Sequence, residues 1–153
     1  MNSAFALLVA LGSSGLIPPW GATEIGFSVQ STWTTRRTLT ITDRATFRQR
    51  WSDLFAASAA RPPLPVVPFA TDRVIMIAAG TRPTGGYSLR LDSARVVRDS
   101  ALIWLSLRTP PPGCGVTQEL TAPAVAIALP RVPSAFRIIT RERPDTARCD
   151  GHT

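Results

Sequence analysis

The sequence predicts an α+β domain in which one N-terminal amphipathic helix packs on a mainly antiparallel β-sheet. Three observations lead there. A single segment carries a stripe at helical spacing, Phe47, Trp51, Leu54, Phe55 and Ser58, which falls on one side of a 3.6-residue period. Several other short segments alternate apolar and polar residues with period two, the pattern of strands with one covered face. Fourteen prolines and ten glycines punctuate the chain and favour short strands and structured loops over a helical bundle. At 153 residues the chain is long enough for one domain with tails and a core that needs neither metal nor multiple disulfides.

Taken in order, residues 1–22 read as a leader or signal-like segment, residues 23–140 as the single domain, and residues 141–153 as a flexible tail. Ile25, Phe27 and Val29 share one parity, as do Leu39 and Ile41, so each stretch is a short strand with a polar face. Arg36 and Arg37 lie in the connection between them. Thr42 or Asp43 can cap the helix by accepting a bond from a free first-turn amide, and the helix is expected to run through Ala60 until Pro62 and Pro63 stop it. Leu64 to Phe69 is a proline-interrupted extended link. Val74 to Ile77 is continuously apolar and suits a central strand buried on both faces. After the turn that follows it, Tyr87, Leu89 and Leu91 alternate with Ser88, Arg90 and Asp92. Arg98, Asp99 and Ser100 form a hairpin turn into the strand Ala101 to Arg108, which carries Trp104. Ala124 to Leu129 and then Phe136 to Ile139 supply the last strands, and from Thr140 the chain is charged and expected to fray.

The connection from Gly80 to Tyr87 is built with care. Gly80, Gly85 and Gly86 can take positive φ or let another backbone approach, Pro83 fixes its own φ, and Thr84 completes the turn. Two readings of these residues stay open. In one, Arg82 and Tyr87 are exposed on a rigid loop as protein-contact residues, since such side chains dominate interface hot spots. In the other the glycines set backbone geometry, Tyr87 packs inward and Arg82 pairs locally.

The formal charge is +7, and all seventeen basic side chains are arginine. They are interspersed with ten acids, although the stretch from Arg131 to Arg148 holds five arginines against Glu142 and Asp145. No recognition motif or continuous basic block marks a nucleic-acid binder, and an acidic face on a partner protein is the better match for this charge. Residues 1–17 have the length and softness of a secretory apolar region without a preceding Lys or Arg, and are too short to span a membrane stably. Export is the expectation, with an apolar leader on a cytoplasmic protein as its alternative. Cys114 and Cys149 are the only cysteines. In an exported chain they can pair, closing a loop of about 35 residues, or both can remain free thiols.

Enzymatic chemistry finds little support. The one histidine, His152, sits in the C-terminal tail, which removes a Ser-His-Asp or Cys-His nucleophile. Cys114, Cys149 and His152 are too few and too poorly spaced for zinc. The glycines at 80, 85 and 86 lack the lysine and the following helix of a phosphate loop. No catalytic residue, metal or cofactor is expected.

The run from Val74 to Leu91, with its Gly-Thr-Arg-Pro-Thr-Gly-Gly-Tyr connection, resembles the C-terminal domain of the protease-complex subunit PrcB. The likeness continues through Pro111, Pro112, Gly113 and Cys114, through Val116, Thr117, Gln118, Leu120, Thr121 and Pro123, and through the Ala-Val-Ala-Ile strand to Leu129 and Pro130. It spans Asp72 to Pro130, and a preceding helix with Trp51 and Leu54 is similar to those that accompany the domain. The resemblance implies an exported or envelope-associated bacterial protein and a non-catalytic role beside a subtilisin-like surface protease. The chain departs from that lipoprotein in carrying no lipidation cysteine near residues 1–17. The expected function is therefore a non-enzymatic exported protein-binding or accessory domain whose partner is another protein, such as a protease, with oligomeric state left open. Its rivals are a small-molecule or glycan-binding module with a pocket between helix and sheet near Trp51 and Trp104, and a purely structural envelope domain.

Overall fold

The computed structural model describes residues 21–146 and Cys149. Apart from Gly21 and Ala22, the expected leader lies outside the described residues, as does most of the tail beyond Thr146. Among the described residues the elements run β1 (Thr23–Ser28), β2 (Arg36–Ile41), α1 (Arg44–Leu54), β3 (Asp72–Ala79), β4 (Ser88–Val97), β5 (Ser100–Thr109), β6 (Ala124–Pro130) and β7 (Ala135–Pro144).

The continuous apolar runs of β3 and β6 explain the layering. Successive side chains of a strand point to opposite faces, so Val74, Met76, Ala78, Ala124 and Ala126 enter one hydrophobic cluster, while Ile75, Ile77, Val125, Ile127 and Leu129 enter a second. These two strands are the centre of a four-stranded antiparallel sheet in the order β1-β6-β3-β2. Phe47, Trp51 and Leu54 of α1 cover its first face, and the alanines of β6 let them approach. Its second face packs on Leu89, Ile103, Leu105 and Leu107, which belong to a three-stranded sheet in the order β4-β5-β7. The result is three layers: helix, large sheet, small sheet.

One mainly antiparallel sheet is thus corrected to two, and the second is mixed. β4 and β5 form an antiparallel hairpin, whereas β7 pairs with β5 in parallel. β7 arrives from β6 in the other layer rather than from a hairpin, so no tight turn dictates its direction. The strand also continues through Arg141–Pro144, residues assigned above to the tail.

The helix is shorter than its periodicity predicts. Asp43 is the N-cap, its carboxylate accepting the Thr46 amide at 2.8 Å. At the other end the Asp53 carbonyl accepts the Thr32 amide and hydroxyl at 3.4 and 3.2 Å, and Phe55 leaves the helical region, so the alanines at 56–60 do not extend it. Gly26 on β1 sits where a Cβ would lie 2.5 Å from the Trp51 ring, which shows how closely the indole is pressed onto the sheet.

The two sides of the sandwich differ. On one side Glu24 of β1 binds Arg90 and the Leu91 amide of β4 and closes the layers together. On the other, β2 and β7 are both edge strands, and a cleft of about 180 Å³ separates them.

Candidate functional site

The predicted turn is sutured to the body of the protein. The Arg82 amide donates to the Thr121 carbonyl at 2.7 Å and the Thr121 amide donates back at 3.1 Å. The Gly85 amide donates to Thr117 at 2.9 Å, and the Thr121 hydroxyl donates to the Thr84 carbonyl at 2.8 Å. Gly80 and Gly86 take φ of 80° and 83°, the left-handed region that an L side chain resists. Gly85 is needed for another reason: a Cβ there would overlap the Thr117 hydroxyl. Pro83 is exposed at the tip.

Arg82 does not stand out into solvent. Its guanidinium donates to the Ala79 carbonyl at 3.2 Å and its Nε is buried without a hydrogen-bond partner. Tyr87 is half-buried against the second cluster. The two therefore point to different neighbours, and the geometry supports the fold-determining reading of the turn. Nearby, Cys114 and Cys149 form a disulfide with Cα atoms 5.3 Å apart, tying the C-terminal residues to the loop after Pro110.

Trp51 and Trp104 are not brought together. Trp51 is 3% exposed in the helix-facing core, its ring meeting Phe47 edge-on and Phe55 at a tilt, with its ring nitrogen donating to the Pro62 carbonyl at 3.1 Å. Trp104 lies on the far surface of the small sheet, so the large sheet and its two packed faces separate them. The expected shared pocket between helix and sheet is filled core.

The surface around Trp104 is the site that sequence reasoning missed. Because Ile103 and Leu105 point inward, Leu102, Trp104, Ser106 and Arg108 point outward. In β7 Phe136 and Ile138 join the core, leaving Arg137, Ile139, Arg141 and Arg143 on that same outer face. Registered beside them, Arg95 of β4 places its guanidinium 5.0 Å from the Trp104 ring centre. Asp92 answers this charge, accepting from Arg143 at 3.1 Å and from the Ser106 hydroxyl at 2.6 Å. Asp92, Arg95, Trp104, Arg141 and Arg143 line an open concavity of about 610 Å³. The signal is the even spacing of Arg137, inside the expected last strand, with Arg141 and Arg143, which follow it in the stretch expected to fray.

Behind this face Arg73 anchors the entry to β7. It is 5% exposed, and it donates at 2.7 Å to the carbonyls of both Pro133 and Ser134 while stacking 5.2 Å from the Phe136 ring centre. Burial pushes its pKa down from the usual arginine value.

The matched segment can now be placed on this architecture. Residues 73–130 match the family model of the PrcB C-terminal domain. No curated protein and no solved structure matches the chain. The PrcB C-terminal segment runs from β3 to β6 and contributes the central pair of the large sheet and the β4–β5 hairpin of the small one. β1, β2, α1 and β7 lie outside it, and Arg137, Arg141 and Arg143 lie outside it with β7, on the face they share with Trp104 and Arg95.

Proposed function

We propose that the chain is a non-enzymatic, exported accessory domain that binds another protein, and that its partner belongs to an extracellular protease complex. The PrcB C-terminal match supports the association. The observation that carries the binding reading is the outer face of the small sheet, where Arg95, Arg141 and Arg143 line one concavity with Trp104, where Arg108 and Arg137 share the face, and where Asp92 and Asp145 are the acids beside them. Such a surface costs the protein like-charge repulsion, which an acidic partner relieves on docking. Arg and Trp are also the side chains that most often carry interface energy. In this reading Arg82 and Tyr87 hold the turn in place, and the contact lies on β4, β5 and β7. The mechanism asks for no cofactor or metal.

Immobilised wild-type protein and an R137E/R141E/R143E variant, both shown to be folded, are to be presented to the secreted fraction of the host. Proteins retained by the wild type and lost by the variant, with a protease among them, are the expected result. The same set retained by both would overturn the assignment of the face.

A further inference from the structure

We propose that the free edge of β7 takes up an extended segment of the partner as a fourth strand of the small sheet, and that this segment alternates acidic with apolar residues. The inference rests on the protein-binding reading above and adds how the partner is held.

β7 is ten residues long, and among the described residues it pairs only with β5. An edge of that length presents a row of main-chain donors and acceptors ready for another strand. The opposite edge of the same sheet is not equivalent, because Glu24 already occupies the Leu91 amide of β4. Beside β7 the sandwich stays open: the cleft towards β2 is floored by Ile77, Leu89, Leu107 and Ile138 and rimmed by Arg36, Thr38 and Thr140. A strand laid along β7 would set every second side chain over this apolar floor. The intervening side chains would stand on the outer surface, beside Arg137, Ile139, Arg141 and Arg143.

Those arginines select the occupant. Opposite charges on neighbouring strands stabilise a pairing and like charges oppose it. Two copies of this chain joined edge to edge through β7 would set arginine against arginine, so the arginines guard the edge against self-association. A segment with Glu or Asp on one face relieves that repulsion, and apolar residues on its other face cover the cleft. Main-chain hydrogen bonds then supply affinity, and the two side-chain rows supply specificity.

The probe is a fluorescent, acetylated peptide of about eight residues that alternates Glu and Val, titrated with the whole protein at low salt and followed by anisotropy. Its Lys–Val counterpart and two forms N-methylated on alternate residues, one for each parity, serve as comparisons. The Glu–Val peptide is expected to bind and the Lys–Val peptide not to. Methylation of one parity should abolish binding while methylation of the other leaves it, since only half of a strand's amides face its neighbour. R137E/R141E, two exposed positions whose exchange leaves the core untouched, should weaken binding by about tenfold or more. Equal binding of both methylated forms, no binding of the Glu–Val peptide, or tighter binding of a single-stranded oligonucleotide of equal charge would overturn strand addition. Failure of the peptide while the arginine face still retains a secreted protein would leave the accessory-domain reading standing, whereas loss of both would remove both.

Discussion

The carboxylate of Glu24, on the edge of the large sheet, accepts the main-chain amide of Leu91, on the edge of the small one, at 2.8 Å. Arg90 grips the same carboxylate through Nε at 2.8 Å and a terminal nitrogen at 2.7 Å, and its guanidinium lies 4.0 Å from the Phe27 ring centre. One side chain thus answers an unpaired edge amide and an arginine together. Glu24→Ala should lower unfolding free energy by about 1–3 kcal/mol, because it strips both partners. Glu24→Gln keeps an acceptor for Leu91 and should lose about half as much. Urea denaturation of the three proteins checks the order. Equal losses would show that charge alone matters at this latch.

Arg73→Met should cost about 2–4 kcal/mol, since the two carbonyls it serves and the ring it covers lie at the mouth of β7. Arg73→Lys retains the charge but not the fork that reaches two carbonyls at once, so its loss should be intermediate. Hydrogen exchange localises the effect: amides of β7 should exchange faster, while those of β3 and β6 change least. Uniform acceleration across both sheets would refute the local anchoring role.

The turn offers a coupled pair. Gly85→Ala should destabilise by about 1–3 kcal/mol through the clash with the Thr117 hydroxyl, and Thr117→Ala should recover most of it. Gly86→Ala should cost a similar amount, from its left-handed φ and from Pro110 at 2.9 Å, and Thr117→Ala should not rescue it. Thermal melts of the single and double variants read out both halves of the prediction.

Asp43 ties stability to pH. Its bonds with Thr46, the backbone one first, hold the carboxyl below the ordinary value of 3.8. A carboxylate with a depressed folded pKa contributes stability that is complete above the unfolded value and is lost as pH falls through the folded one. The wild type should therefore lose stability below about pH 4 faster than Asp43→Asn, whose side chain still caps the helix but does not titrate. Parallel pH–stability curves for the two proteins would contradict this.

How much was legible in advance follows from which signals are local. The β4–β5 hairpin, the central apolar strand β3 and the cap at Asp43 each depend on neighbours within a few residues, and pattern and turn chemistry suffice for them. The end of α1 is set by Thr32 taking the Asp53 carbonyl, a contact between segments twenty-one residues apart, which periodicity cannot register. The division into two sheets escaped for the same reason. Strand alternation says which face is buried but not which layer covers it. At the site, loop position and large side chains single out Arg82 and Tyr87, whereas the hydrogen bonds that tie that loop to residues 117–121 are long-range and leave no local mark in the sequence. The arginines of β7 were individually visible, but their common face with Trp104 exists only through a parallel pairing between strands over thirty residues apart.

The position of β6 between β1 and β3 has a further consequence for a chain made from its N-terminus. Among the described residues β1 has no hydrogen-bonded neighbour in the large sheet except β6, whose first residue, Ala124, lies almost a hundred residues downstream of Ser28. Until that segment has left the ribosome, or has cleared a translocation pore, the large sheet lacks one of its two central strands and both hydrophobic clusters lack a wall. Long-range pairing of this kind slows folding. The domain should therefore acquire its structure almost entirely after synthesis of residue 130, and a nascent chain halted earlier should remain open to proteolysis.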